Sequence, residues 1–367
     1  MEQAMAGRLW VALSPHGYGH AAMTAPVVAE LRQRRPGLAL TIQSALPRRF
    51  LESRYGTDFV HVADIPDFGL RMTSATGIDL DATAADYRRL HADWPAVVER
   101  EAERLAAAAP DLVLANVPYV TIAAAARAGI PVAGYSSLEW SGIYTHYLGD
   151  RPEAAAIAAQ MLAAYNAGDV FLRVTPSMPM PRFTKLRTIG PVARRGLDRR
   201  SELRRRLGGG RVGLVAFGGI DHALDWFRWP RLDGWTWLTT LDRPDRCDVL
   251  GWEAAEMAFA DLIASVDVVV TKPGYGTFTE AALAETPVLY IPRPDWPESP
   301  HLDRWLEGHT RALAVPLDAL LGDGLAAQLR TLFLLPGRPI ASPSGIKEAV
   351  ETLESLLDGA GGHCGRS

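Results

Sequence analysis

Residues 267–292 read Asp267-Val-Val-Val-Thr271-Lys272-Pro273-Gly274-Tyr275-Gly276-Thr277-Phe278-Thr279-Glu280-Ala-Ala-Leu-Ala-Glu-Thr-Pro287-Val-Leu-Tyr-Ile291-Pro292. The β-branched run Asp267–Thr271 predicts a buried strand. Two glycines then turn the chain, and Thr277–Ala284 has the composition of a helix. Pro287–Ile291 is a second apolar run and predicts the next strand. A strand, a short turn, a helix and another strand within so few residues argue for parallel strands covered by helices.

The same rhythm extends in both directions. Arg211–Phe217, Trp235–Thr240 and Cys247–Trp252 predict strands, the last with its exit loop, and Ala258–Ser265 predicts a helix. Nearer the N-terminus, Leu9–Ser14 predicts a strand, Ala25–Arg35 a helix and Ala39–Gln43 a strand. The helix Ala96–Ala109, the strand Asp111–Ala115, the helix Thr121–Ala128 and the strand Pro131–Tyr135 follow. Toward the other end, Leu302–Gly308 and Ser344–Leu357 read as helices. The rhythm breaks at Ile189–Arg211, which reads as a linker and an arginine-rich first helix of a second half. The expected fold class is α/β, with two Rossmann-like domains facing a cleft. The expected segments are 1–188, 189–345, and a terminal helix and tail over 346–367. Ligands of such sheets bind beyond the carboxyl ends of the strands, which places the expected site in the cleft.

Composition narrows the function. The 367 residues are 48% hydrophobic and 22% charged, as in globular proteins, with a net charge of −4. A general nucleic-acid binder would carry a basic excess, so no nucleic-acid partner is expected. The two cysteines, Cys247 and Cys364, form no Cys-x-x-Cys pair, and neither a disulfide framework nor structural zinc is expected. No run is long and apolar enough for a membrane span, and the N-terminus lacks the look of a signal peptide. A cytoplasmic protein is the default expectation.

Four places could carry chemistry. In His16-Gly17-Tyr18-Gly19-His20, the glycines permit a tight turn and close approach of a ligand. A histidine at a helix start is expected to stay neutral, as a general base must be; the plain alternative is a turn histidine that only caps. In Lys272–Glu280, backbone N–H groups around Gly274, Tyr275, Gly276 and Thr277 suit an anion such as phosphate. Thr277 or Thr279 is the expected cap, and Glu280 could take two vicinal hydroxyls of a ribose. Phe217-Gly218-Gly219-Ile220 offers a second set of backbone donors. The loop Arg293–His301, with Trp296, Glu298 and His301, has the aromatic and carboxylate chemistry of a sugar subsite. Glu139 and Trp140, with Tyr144 and Tyr147, are candidates for an acceptor wall. The run Trp226, Trp229, Trp235 and Trp237 reads as core, and Arg194–Arg206 as a solvated face or a peripheral membrane contact.

In this order, these residues resemble the GT-B glycosyltransferases. The run from Lys272 to Pro292 looks like that superfamily's donor-nucleotide motif. The resemblance implies that Gly274–Thr277 and the Gly218-Gly219 turn meet the diphosphate, and that Glu280 holds the ribose. It further implies that Leu250-Gly251-Trp252 touches the base, that Glu298 and His301 face the donor sugar, and that His20 is the base. His16, Gly17, Tyr18, Gly19, Glu139 and Trp140 would then lie on the acceptor side, in the N-terminal domain. A closer resemblance is to the glycosyltransferase-like N-terminal half of plant L-arabinokinases and its stand-alone bacterial relatives. It rests on His16–Ala21, on Gly129-Ile-Pro-Val with Glu139–Tyr144, and on Lys272–Glu307. No kinase phosphate loop is found, so arabinokinase activity is not expected. Those relatives commonly carry an arginine three residues after the turn histidine, where this chain has Met23.

The expectation is therefore transfer of a sugar from a nucleotide donor, UDP-linked in the first reading, to an unidentified acceptor. No cofactor beyond that co-substrate is expected. No Asp-x-Asp pair occurs in the expected cleft loops, so no metal is called for, and single displacement would invert the anomeric centre. A nucleotide-sugar hydrolase and a non-catalytic nucleotide-sugar binding module use the same donor residues and stay open.

Overall fold

The computed structural model describes residues 7–74, 77–217, 224, 226–240 and 245–361. The chain divides into two compact units, Met1–Val192 with Ser344–Ser367, and Ala193–Pro343.

The first unit runs β1 (Arg8–Leu13), α1 (Gly19–Arg34), β2 (Ala39–Gln43), α2 (Arg48–Tyr55), β3 (Val60–Val62), α3 (Leu80–His91) and α4 (Trp94–Ala108). It continues with β4 (Leu112–Asn116), α5 (Tyr119–Arg127), β5 (Val132–Ser136), α6 (Trp140–Leu148), α7 (Ala154–Ala167), β6 (Val170–Val174) and β7 (Leu186–Ile189). The strands form one parallel sheet in the order β3-β2-β1-β4-β5-β6-β7. All of β4 and β5 is buried, as parallel strands covered on both faces must be. The order reverses between β1 and β4, whose ends are in register at Leu13 and Asn116. That reversal opens the crevice in which such sheets bind ligands.

The second unit runs α8 (Arg200–Arg206), β8 (Arg211–Ala216), β9 (Trp235–Thr239), β10 (Val249–Gly251), α9 (Phe259–Ser265) and β11 (Val268–Thr271). Next come α10 (Tyr275–Leu283), β12 (Val288–Tyr290), α11 (Ser299–His309), β13 (Ala312–Ala314) and α12 (Gly324–Leu334). Its parallel sheet has the order β10-β9-β8-β11-β12-β13, reversing between β8 and β11. The Thr271 hydroxyl donates to the Ala216 carbonyl across that point, 2.8 Å being the usual hydroxyl distance and 2.6 Å the one found. Trp226, Trp229 and Trp237 are buried in one cluster, and Trp235 stacks on Trp237 at 5.3 Å. The tryptophan run is thus a packed core.

The last helix, α13 (Gly345–Gly361), returns to the first unit. It packs on α1, with ion pairs from Arg34 to Glu354 and from Arg35 to Asp358. Read alone as a terminal segment over 346–367, it is part of the first unit's outer layer. Among the described residues no helix is long and apolar enough to cross a membrane.

Among the helix starts that differ from expectation, two bear on the site. α1 begins at Gly19 and not at Ala25, carrying Pro26 inside it. α10 begins at Tyr275, with Gly274 at the cap position and no side-chain cap. Neither Thr277 nor Thr279 caps it. The Thr279 hydroxyl donates back to the Tyr275 carbonyl at 2.8 Å, one turn behind.

Candidate active site

In the first unit the candidate residues gather at the β1–β4 reversal. Gly17 has a φ of +79°, a conformation that glycine alone adopts freely, and it turns the chain from β1 into α1. Tyr18 sits at the cap position, exposed, with its ring 4.2 Å from that of Phe50. His20 is the second residue of α1 and only 6% exposed. Its Nδ1 lies 2.9 Å from Asn116 Oδ1, at the end of β4.

The network fixes which ring nitrogen carries the proton. Thr24 donates its hydroxyl to the His20 carbonyl at 2.8 Å, so its oxygen accepts from Asn116 Nδ2, 2.9 Å away. The other end of that amide, Oδ1, therefore faces His20 and accepts from Nδ1–H. Nε2 keeps its lone pair and makes no hydrogen bond among the described residues. Burial holds the imidazole pKa below its usual value, and the Asn116 contact offsets only part of that. Helix position suggested a neutral His20; desolvation is the main cause.

A carboxylate in place of Asn116 would stabilise the imidazolium. Asn116→Asp is expected to move the acid limb of the activity profile to higher pH, measured as turnover against pH. An unchanged profile would mean that the contact does not govern His20.

His16 is half-buried, its ring 5.2 Å from that of Trp140 in an edge-on arrangement. Trp140 also lies 6.0 Å from His20. Glu139 is buried at the cap position of α6. Its carboxylate accepts from the Ser141 and Gly142 N–H groups and caps α6. A Cβ on Gly142 would come within 2.4 Å of Glu139 Oε1, so glycine there makes room for the cap. Tyr144 is fully buried. Met23, where the relatives' arginine would stand, is buried, and its sulfur lies 3.6 Å from Asn116 Nδ2.

In the second unit the loop after β11 and the start of α10 hold the expected phosphate residues. Gly276 is exposed, Thr277 and Glu280 are half-buried, and Tyr275 is buried. A Cβ built on Gly276 meets nothing within 4 Å, and one on Gly274 meets only a carbonyl at 3.9 Å. Neither glycine has a positive φ, since Gly274 is extended and Gly276 is helical. Neither backbone strain nor packing requires glycine here. By contrast, a Cβ on Gly213 would enter the Trp237 ring at 2.2 Å. In the first turn of α10 the N–H groups have no intrahelical acceptor.

Gly218 and Gly219 lie outside the described residues. Leu250 and Gly251 are on β10, and Trp252 begins a short 3-10 turn where its indole donates to Glu253 at 2.7 Å. Glu298 is buried at the start of α11, with the Trp296 indole donating to it at 3.2 Å. His301 is half-buried, its pKa lowered first by burial and then by Arg304.

Two basic residues join this group without having been singled out. Lys272 follows β11, and Arg293 follows β12 and lies over the Trp296 ring at 4.7 Å. Burial, and then repulsion from Arg293, lowers the Lys272 pKa, and Glu298 offsets part of it. The arginines of 194–206 are largely paired: Arg200 and Arg204 with Asp267, Arg206 with Glu202 and Glu256, and Arg195 with Glu285. That pairing is what a solvated helix face shows. Among the described residues no three His, Cys, Asp or Glu side chains form a metal-binding group.

No family model matches the chain. Over 333 residues it is 26% identical to an L-arabinokinase of Arabidopsis thaliana, covering 88% of this chain and 32% of that protein. The chain thus spans about a third of the length of the curated relative that it matches. Among solved structures, it resembles the calicheamicin glycosyltransferase CalG4 with a TM-score of 0.60, at 17% identity, covering 97% of this chain and 96% of that one. UGT89C1 of Arabidopsis thaliana in complex with quercetin gives a TM-score of 0.61 at 12% identity, covering 96% and 99%. The glycotransferase of kitacinnamycin gives 0.58 at 17% identity, covering 97% and 96%. At these identities the likeness is one of fold, and the fold is that of the GT-B glycosyltransferases.

Proposed function

We propose that the chain is a glycosyltransferase that moves a sugar from a UDP-linked donor to an acceptor hydroxyl, with inversion and without a metal. The observation that carries this reading is the open glycine turn at the start of α10. Gly274 and Gly276 leave space that neither the backbone nor the packing needs, and a diphosphate would fill it. UGT89C1, which shares the fold, has been solved with UDP.

In the proposed reaction His20 Nε2 takes the proton of the acceptor hydroxyl as its oxygen attacks the anomeric carbon. The bond from that carbon to the donor's phosphate oxygen breaks, and the nucleoside diphosphate leaves with the electron pair. The Gly276 and Thr277 N–H groups, the α10 dipole and the Lys272 ammonium stabilise the charge that develops. Glu280 would hold the ribose hydroxyls, and Glu298 with His301 the donor sugar. His16, Gly17, Tyr18, Gly19 and Trp140 would border the acceptor.

The test is to incubate the protein with UDP-sugars and follow UDP release with and without a panel of hydroxyl acceptors. Acceptor-dependent release with a new glycoside supports transfer. Equally fast release into water makes the protein a nucleotide-sugar hydrolase, and binding without release makes it a binding module.

A further inference from the structure

The loop that follows β3 brings a buried carboxyl to the underside of the His16–His20 turn. Asp67 is 3% exposed, and its Oδ1 accepts from the Ser14 hydroxyl at 3.0 Å. Ser14 follows β1 directly. Its own N–H donates to the Asn116 carbonyl at 2.9 Å, and its hydroxyl oxygen lies 3.4 Å from the His16 N–H. Two residues beyond Asp67, Gly69 has a φ of +66° and lies flat against His16, where a Cβ would come within 2.9 Å of three of that side chain's atoms. Asp67 and Gly69 thus hold the start of the turn, while Asn116 holds its end at His20.

We propose that Asp67 is a positioning residue for the His16–His20 turn and that it acts as the neutral acid, so that ionising it loosens the turn and the placement of His20. The catalytic consequence rests on the reading of His20 as the base; the anchoring does not.

The surroundings require the neutral form. Ser14 faces Asp67 from the end of β1, Trp140 from α6 and the Gly69 N–H from its own loop, while the Tyr87 phenol of α3 feels its charge. The phenols of Tyr119 and Tyr165 feel it too. Glu139, the other carboxylate of this region, is also pushed up by burial, against the weaker pull of its cap hydrogen bonds. Among the described residues the groups that pull on Asp67 are Ser14, Gly69 and Trp140, none of them a cation. The Trp140 indole favours the carboxylate slightly, yet neither Asp67 Oδ2 nor Trp140 Nε1 completes a hydrogen bond. An anion here would be a buried charge without a counter-charge, which is costly. Burial pushes the carboxyl pKa up to about 7, against the weaker pull of Ser14, Gly69 and Trp140.

The sign of the stability effect follows. The folded pKa lies above the unfolded one, so the folded protein holds a proton that the unfolded chain releases. Stability from this group is fully present below 3.8 and declines as pH rises to about 7. Asparagine at this position keeps an acceptor for Ser14 and cannot ionise.

The experiment follows the His20 Cε1–H resonance against pH by NMR, assigned by its loss in His20→Gln. The wild type should show an inflection near neutrality, above the ring's own titration, and Asp67→Asn should lack it while keeping the low-pH position. Melting temperature should decline from acid to neutral pH less in Asp67→Asn than in the wild type. A wild type with no such inflection, or an Asp67→Asn protein that retains it, overturns the proposal. No substrate is needed, so an inflection in a protein that transfers no sugar would uphold the anchor while removing the transferase reading.

Discussion

Replacing His20 by alanine should slow sugar transfer by about 10²–10⁴-fold, the usual worth of a positioned base, while nucleotide binding stays as in the wild type. The expectation comes from the division of labour in the fold. His20 belongs to the first unit, at the reversal between β1 and β4. The proposed donor residues belong to the second, at the start of α10. No helix or strand is shared between them, so removing the imidazole leaves the glycine turn as it is. His20 is buried against Asn116, and its loss also leaves that amide oxygen without its partner. His20→Gln is the useful companion, because a glutamine amide can donate to Asn116 Oδ1 but is no base. The check is turnover under saturating donor, with nucleotide affinity measured separately. Unchanged turnover in both variants would remove His20 from the mechanism.

The second large effect is at Gly276. Alanine there meets no atom within 4 Å and lies inside a helix. Gly276→Ala should fold at least as well as the wild type, with a gain of up to about 1 kcal/mol from helix propensity. A longer side chain should fill the space assigned to the diphosphate. Gly276→Leu is expected to bind nucleotide roughly 10–100-fold more weakly, the equivalent of about 1–3 kcal/mol of overpacking. The pair separates a folding device from a ligand device. A glycine needed for folding would lower the melting temperature in both variants, whereas a glycine kept for a ligand would lower only binding. Melting curves and nucleotide titrations on the same samples decide between them.

The strands that carry the site were legible because each is a short apolar run closed by a glycine or a proline. β1, β8 and β11 run into glycine turns, and β4 and β12 are followed by Pro118 and Pro292. Less legible were β3, β6, β7 and β13: β3 and β13 are only three residues long, and β7 has its middle residues exposed, so no apolar run announces it. The start of α1 was hidden by Pro26, which reads as a helix beginning and here lies inside the helix. The alanine-rich α7 has too little contrast between its faces to mark a buried stripe.

The site shows the same boundary. Glycine turns and their histidines are local patterns, and the sequence displays them directly. Asn116 was invisible as a partner because it lies 96 residues from His20 and becomes its neighbour only when β4 pairs with β1. Asp67 reaches Ser14 across 53 residues by a loop with no motif of its own. Lys272 stood inside the decisive stretch, but its character comes first from burial and then from Arg293, which follows the neighbouring strand β12. Glu139 has a local role that its residue type did not announce: its carboxylate accepts from the following N–H groups and caps α6.

The most direct test of the donor site is a melting-temperature screen with UDP, GDP, dTDP, CMP and their sugar conjugates, in wild type and Glu280→Ala, without added metal. Ligand at 100 times its Kd stabilises a folded protein by about 2.7 kcal/mol, which is readily seen. UDP and UDP-sugars should raise the melting temperature, and Glu280→Ala should reduce or abolish that rise. No rise with any nucleotide, or an equal rise in both proteins, would contradict the proposed donor site.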